Sequence, residues 1–280
     1  MAIKDILLPL VGEPSGAACG AIDKCVAVAG GLGARIIAIA VEEEIPVRPK
    51  VVISADIENA EAIAAERSVS DARGLLKAFG ASASRLAVRN EQRLTRLALA
   101  EVASSFVGPA RLVDLAMFSV KSHDSHSESV IDRLIFESGR PVLICPEEIA
   151  GGLPVIFDRV AIAWDHTAPA ARAIGDALPL LEEAADVRII TATDEKSEAQ
   201  LESAAALAAH LAEHEITATF EAIKIDGSSV GKVFEAYVKK NAVDLLVMGA
   251  YRHSRLNQLV WGGATKTVIG QPPCWVLMSR

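Results

Sequence analysis

The sequence predicts an α/β protein built as two doubly wound parallel-sheet domains in tandem, and three observations predict it. Apolar runs of strand length alternate with helical stretches along the whole chain, the pattern of a parallel sheet. Those runs are continuously apolar instead of alternating, as expected of strands that helices cover on both faces. The same series of elements is also written twice: VDLAMFS at 113–119 answers VDLLVMG at 243–249, and RPVLICP at 140–146 answers CWVLMS at 274–279. A duplication explains this most simply, and 280 residues suit about two domains of ordinary size.

Taken in order, residues 3–11 (IKDILLPLV) form the first strand, the Ala-rich stretch from Gly16 to Leu32 a helix, and RIIAIAV at 35–41 the second strand. A long helix over 56–80, a strand over 84–89 and a helix over 93–106 complete the first half with the runs at 113–119 and 140–146. The grammar restarts with FDRVAIAW at 157–164, a helix, and VRIITAT at 187–193. It continues through a helix over 197–214, a strand over 216–225 and a helix over 229–241. Val230, Val233, Phe234, Tyr237 and Val238 share one helical face, with Ser228 as the expected N-cap, and Ser197 with Gln200 forms a capping-box pattern. Residues 147–157, with two glycines and a proline, read as a linker, which places the domains at 1–147 and 157–280.

Composition removes several function classes. Lys plus Arg number 28 against 36 Asp plus Glu, a formal charge of −8, the wrong sign for a nucleic-acid surface. No stretch reaches the roughly 18 uncharged apolar residues of a membrane helix. Cys19, Cys25, Cys145 and Cys274 form no C-x-x-C pair and sit in apolar surroundings, which suits a reducing compartment, so a soluble, unexported, cytoplasmic protein is expected.

In a doubly wound sheet, ligands sit at the carboxyl ends of strands beside the point where strand order reverses. In the second half the first strand ends in AWD, offering Asp165. The fourth ends in MGAYRHSRLNQLVWGGATKTVIG, in which Gly249 closes the strand and Gly262 and Gly263 precede a short helix carrying Thr265 and Thr267. Glycines before a helix N-terminus bring backbone N–H groups toward an anion, and phosphate is the natural guest. Asp165, at the end of the neighbouring strand, suits hydrogen bonds from ribose hydroxyls.

The spacing of Gly249, Arg252 and Gly262, after an apolar strand and before a helix and a last P-x-V-L-like strand, resembles the universal stress protein family. Its nucleotide-binding members carry G-x-x-G-x9-G-[S/T], and the resemblance extends over nearly the whole chain as a tandem pair. It implies a five-stranded parallel sheet per domain, of the adenine nucleotide alpha hydrolase-like type, with ATP or another adenine nucleotide, accompanied by Mg, bound in some members and none in others. It carries Gly249 and Gly262 over as phosphate-loop glycines, Asp165 as the adenosine-side carboxylate and Thr265 as a phosphate hydroxyl. Two departures stand out: Arg252 replaces the second motif glycine, and Gly263 replaces the Ser/Thr after the third. Arg252 and Arg255 offer charge-assisted bonds to phosphate instead.

The first half has lost these features. Val11 stands where Asp165 stands in the second, Ser119 replaces Gly249, and the loop KSHDSHSES at 121–129 has no glycine, so no nucleotide is expected there. The resemblance implies that the two domains pair within the chain, in place of the homodimer of single-domain relatives. Further dimerisation and the identity of any protein partner are open at this level.

Enzyme signatures are missing: the sequence has no G-x-S-x-G, no Walker A lysine and no G-x-G-x-x-G after either first strand. Nothing identifies a general base for a slow ATPase or autophosphorylation, so the expectation is a non-enzymatic stress-response binding or signalling protein with no catalytic residues. Two other readings stand beside it. One is a ligand-free interaction module of the same fold with a decayed site. The other is a metal-dependent hydrolase on His210 and His214, whose H-x-x-E-H pattern matches a zinc peptidase class. The stripe of Leu201, Ala204, Leu207, Ala208 and Leu211, however, leaves both histidines on the helix flank and Glu213 facing away. His123, Asp124 and His126 have ligand chemistry within a polar loop, and Trp164 beside Asp165 either stacks on a base or packs against the sheet.

Overall fold

The computed structural model describes residues 2–44, 55–148, 152–153, 155, 157–193, 198–255, 258–261 and 263–280. The first half runs β1 (Asp5–Leu10), α1 (Gly16–Gly31), β2 (Arg35–Glu44), α2 (Ala55–Arg85), β3 (Asn90–Ala98), α3 (Leu99–Ser105), α4 (Val107–Ala110), β4 (Leu115–Val120), α5 (Ser125–Glu137) and β5 (Val142–Pro146). The second runs β6 (Arg159–Ala163), α6 (Ala168–Leu181), β7 (Asp186–Ala192), α7 (Glu198–Ala212), β8 (Ala218–Ile223), α8 (Val230–Asn241), β9 (Leu245–Gly249), β10 (Arg252–Arg255), β11 (Gln258–Trp261), α9 (Gly263–Gly270) and β12 (Trp275–Ser279).

Ten of these strands form one sheet in the order β3-β2-β1-β4-β5-β12-β9-β6-β7-β8. Each half is thus a five-stranded doubly wound sheet. All pairings are parallel within the halves, and the halves join where β5 meets β12 antiparallel, with Leu143 opposite Leu277 and Ile144 opposite Val276. The intramolecular pairing implied by the resemblance is therefore a continuous sheet through the middle of the molecule.

Side-chain alternation splits the core into two layers. Ile6, Leu8 and Leu10 of β1 belong to the layer covered by α1, α2, α6 and α7, whereas Leu7 belongs to the layer of α3, α4, α5, α8 and α9. Both layers contain residues from both halves, with Cys145 and Leu277 in one and Ile144 and Val276 in the other. Phe157 and Trp275 meet edge to face at 5.6 Å across the first of them. The expected helical face of Val233, Phe234, Tyr237 and Val238 is buried.

Several expectations need correction. Of the strand expected over 84–89, Ser84 and Arg85 end the long helix α2 and 86–89 connect it to the actual strand, β3, which takes the first part of the helix expected over 93–106 and leaves α3 the rest. The polar loop at 121–129 ends early, because α5 begins at Ser125. The N-cap of α8 is Ser229, whose side chain accepts from the Lys232 N–H, and not Ser228. Leu201 is exposed instead of joining the α7 stripe, while Ala204, Leu207 and Leu211 are buried. Ser197 of the expected capping box and part of the 147–157 linker lie outside the described residues.

Candidate functional site

Strand order reverses in the second half between β6 and β9, which are neighbours although α6, β7, α7, β8 and α8 separate them in sequence. Chain leaving β6 turns into α6, and chain leaving β9 turns toward the β10–β11 hairpin, so a crevice opens between their carboxyl ends. It is a cleft of about 510 Å³, within the range of small-molecule sites. Asp165, Thr191, Ser229, Gly249, Tyr251 and Thr265 line it together with an apolar floor that includes Phe234 and Met248.

Asp165 follows β6 and is held by local bonds: its Oδ1 accepts from the Thr167 N–H at 3.2 Å and from the Thr167 hydroxyl. Thr167 is in turn the N-cap of α6, accepting from the Ala170 N–H. The N-cap Thr167 of α6, the N-cap Ser229 of α8 and the start of α9 at Gly263 all meet the cleft. Three helix N-termini lend it partial positive charge, and no Lys or Arg stands among the described lining residues.

Gly249 has a packing reason to be glycine. A Cβ there would stand 2.5 Å from the Ala170 nitrogen and 2.7 Å from the Pro169 carbonyl carbon, so the end of β9 packs directly on the first turn of α6. Thr265 is buried, and its hydroxyl accepts from the Tyr251 N–H at 3.3 Å, tying the chain leaving β9 to α9. Gly263 lines the cleft at the first position of α9. Arg252 opens β10 opposite Trp261, and Gly262 lies outside the described residues. An arginine fits at 252 because the chain there is an extended strand of a hairpin, a local structure that the glycine spacing alone did not suggest.

Sequence reasoning missed Thr167, Thr191, Ser229 and Tyr251. The Thr191 hydroxyl donates to the Trp164 carbonyl at 2.8 Å and links the ends of β6 and β7. Its position at the end of the second strand was the available signal. Trp164 packs against the core, as one of its two readings had it, with its indole N–H donating to the Ser203 hydroxyl at 2.9 Å, and it also lines the cleft.

The matching region of the first half is built otherwise. Val11 follows β1, and the nearby cavity is about 210 Å³, with Arg67 of α2 bonded to Glu13 at 2.6 Å. No hairpin separates β4 from its following helix. Asp124 caps α5, accepting from the His126 and Ser127 N–H groups and from the Ser127 hydroxyl. Burial alone would raise the Asp124 pKa, but these bonds together hold it below the usual carboxylate range. A carboxylate of the chain itself thus occupies the anion-binding end of α5.

The H-x-x-E-H segment does not lie on one helix. Helix α7 ends at Ala212, so Glu213 and His214 belong to the following turn, where the His214 ring meets that of His210 at 5.1 Å. Among the described residues no three His, Cys, Asp or Glu side chains converge as a metal site.

Duplication of a doubly wound sheet, pairing through the last strands and a cleft at one switch point define a tandem α/β protein of a recognised class. The sequence model of the Universal stress protein family matches residues 157–280, and the second half of the chain is a domain of that family. The whole chain has the fold of a tandem-sized member. The structure of a universal stress protein from Archaeoglobus fulgidus DSM 4304 aligns over 99% of this chain and 96% of its own, at 16% identity and a TM-score of 0.69. A functionally unknown protein from Pseudomonas aeruginosa PAO1 aligns over 99% of this chain and 92% of its own, at 11% identity and a TM-score of 0.58. The universal stress protein from Archaeoglobus fulgidus in complex with dAMP aligns over 51% of this chain and 98% of its own, at 13% identity. Its TM-score of 0.31 is too low for its ligand to be carried over. No curated protein sequence matches the chain.

Proposed function

We propose that the second half binds an adenine nucleotide, ATP or a close relative with Mg, in the cleft between β6 and β9, and that the protein acts by binding and signalling instead of by catalysis. The observation that carries this reading is the convergence of three helix N-termini on one cleft that also holds the Asp165 carboxylate. Phosphate suits the N-terminus of α9, where Gly263 leaves the backbone uncovered, and Asp165 suits a ribose hydroxyl. Asp165 keeps one oxygen for this, since the described hydrogen bonds to it use Oδ1 alone. Occupancy then acts by population shift, favouring whichever arrangement of the segment between Gly249 and Gly263 binds the ligand better, and that segment is the surface offered to protein partners.

The first half serves as a structural partner, because its Asp124 already fills the helix end that would meet phosphate. A reducing, cytoplasmic setting fits the four unpaired cysteines, three of them buried. Among the described residues no helix is long and apolar enough to cross a membrane.

The test is acid extraction of purified protein followed by nucleotide chromatography, together with thermal unfolding in ATP and Mg. Co-purified adenine nucleotide, or stabilisation of about 2.7 kcal/mol at a hundredfold excess over Kd, supports the reading. Asp165→Ala is expected to abolish most of that stabilisation. Absence of both signals would overturn it in favour of a ligand-free interaction module. Two features favour that alternative: the Thr265 hydroxyl is engaged by the Tyr251 N–H, and Gly249 is required by packing.

A further inference from the structure

We propose that Tyr251 is the residue with which the cleft recognises the sugar of its nucleotide, its hydroxyl donating to a ribose hydroxyl that in turn donates to Asp165. The inference rests on the nucleotide reading above and adds a residue and a specificity to it. Tyr251 stands two positions after Gly249 and lines the cleft together with Asp165 and Thr167. Its N–H is anchored on the Thr265 hydroxyl, so the point from which the ring leaves the chain is held by α9.

The hydroxyl of Tyr251 is buried and finds no hydrogen-bond partner among the described residues. It lies beside the Thr167 hydroxyl and the Asp165 carboxylate, near enough for both to act on its pKa, but meets full hydrogen-bond geometry with neither. Those neighbours are already committed to each other, because the Thr167 hydroxyl donates to Asp165 Oδ1. Burial, ahead of the nearby Asp165 charge, pushes the phenol pKa up, so the group stays protonated and remains a donor. An orphaned buried donor is costly in an otherwise bonded protein and points to a missing partner.

The chemistry of that partner follows from the pairing. A buried donor beside a carboxylate acceptor suits a group that both accepts and donates, which a sugar hydroxyl does. A phosphate oxygen satisfies the phenol but is repelled by Asp165, and an aliphatic group satisfies neither. The sugar therefore belongs at the Asp165–Tyr251 end of the cleft, and the phosphates at the start of α9.

Tyr251→Phe in the full chain removes only the hydroxyl oxygen, and calorimetry with ATP and with 2′,3′-dideoxy-ATP, both with Mg, tests the role. Wild type is expected to prefer ATP by about tenfold or more, and the variant to lose about tenfold in ATP affinity, the scale of one hydrogen bond, while its affinity for the dideoxy analogue is unchanged. The melting temperature of the ligand-free variant should not fall, since the hydroxyl has no partner to lose. Equal ATP affinity in wild type and variant, or equal weakening toward both nucleotides, overturns the role of Tyr251 while leaving nucleotide binding intact. If wild type binds neither nucleotide, the underlying reading fails and this inference falls with it.

Discussion

Gly249 and Asp124 occupy corresponding regions of the two halves, and each is chosen by its immediate surroundings. At Gly249, backbone atoms of Pro169 and Ala170 fill the space a side chain would need, and backbone yields less readily than the end of a flexible side chain. Gly249→Ala is therefore expected to cost about 1–3 kcal/mol, seen as a lower urea midpoint with an unchanged m-value. Asp124 is a helix cap, and Asp124→Ala is expected to cost about 1 kcal/mol at neutral pH. Its folded pKa is depressed, so the extra stability of its charged form is present above the unfolded carboxylate value and fades as pH falls through the folded one. The gap between wild type and Asp124→Ala should accordingly narrow in urea titrations as pH drops below about 4. A gap that stays constant with pH would show that the charge of the cap contributes nothing. Asp124 was visible in the sequence only as a potential metal ligand, because a cap and a ligand use the same residue type and only the helix start separates them.

At the level of elements, strong periodicity marks those whose sequence and structure agree. The apolar strands β1, β2, β4, β6 and β9 and the face of α8 are buried as their patterns require. The misplacement around β3 has a physical cause. Helix α2 runs through Phe79 and the buried Ala83 to Arg85, so its core-facing stripe takes in the start of the RLAV segment that resembled a strand. It stops only before Ala87, in the left-handed region at φ 53°. Strand β3 then lies at the sheet edge with a largely exposed, polar sequence, and an edge strand with Glu91, Arg93 and Arg96 carries no apolar run to announce it. The β10–β11 hairpin was missed for a related reason, since nothing in a glycine-spacing motif distinguishes a loop from a short ladder.

At the scale of the molecule, the seam between β5 and β12 makes two half-sheets into one. Val142, Leu143, Ile144, Val276, Leu277 and Met278 are all fully buried there, at 0% exposure. Residues 157–280 expressed alone would uncover an apolar edge, so they are expected to run as a dimer in gel filtration with light scattering, and Leu277→Arg in that fragment to run as a monomer. A monomeric wild-type fragment would show that the edge of β12 is specific for β5. The first half supplies the partner strand within the same chain, and its own cleft region holds the capping Asp124 and the Arg67–Glu13 pair.

By itself the sequence determined the duplicated α/β plan, every strand of the main sheet except β3 and the end of the strands at which to look, because hydrophobic periodicity is a local quantity repeated in each apolar element. It also marked Asp165, Gly249, Gly263 and Thr265, all of which the fold brings to one cleft. Only the tertiary structure decided why each is there. The close approach of α6 to Gly249, the anchoring of Tyr251 on Thr265 and the antiparallel seam join residues far apart in the chain, and contacts of that kind are set by how packed layers meet and not by the spacing of residues along one of them.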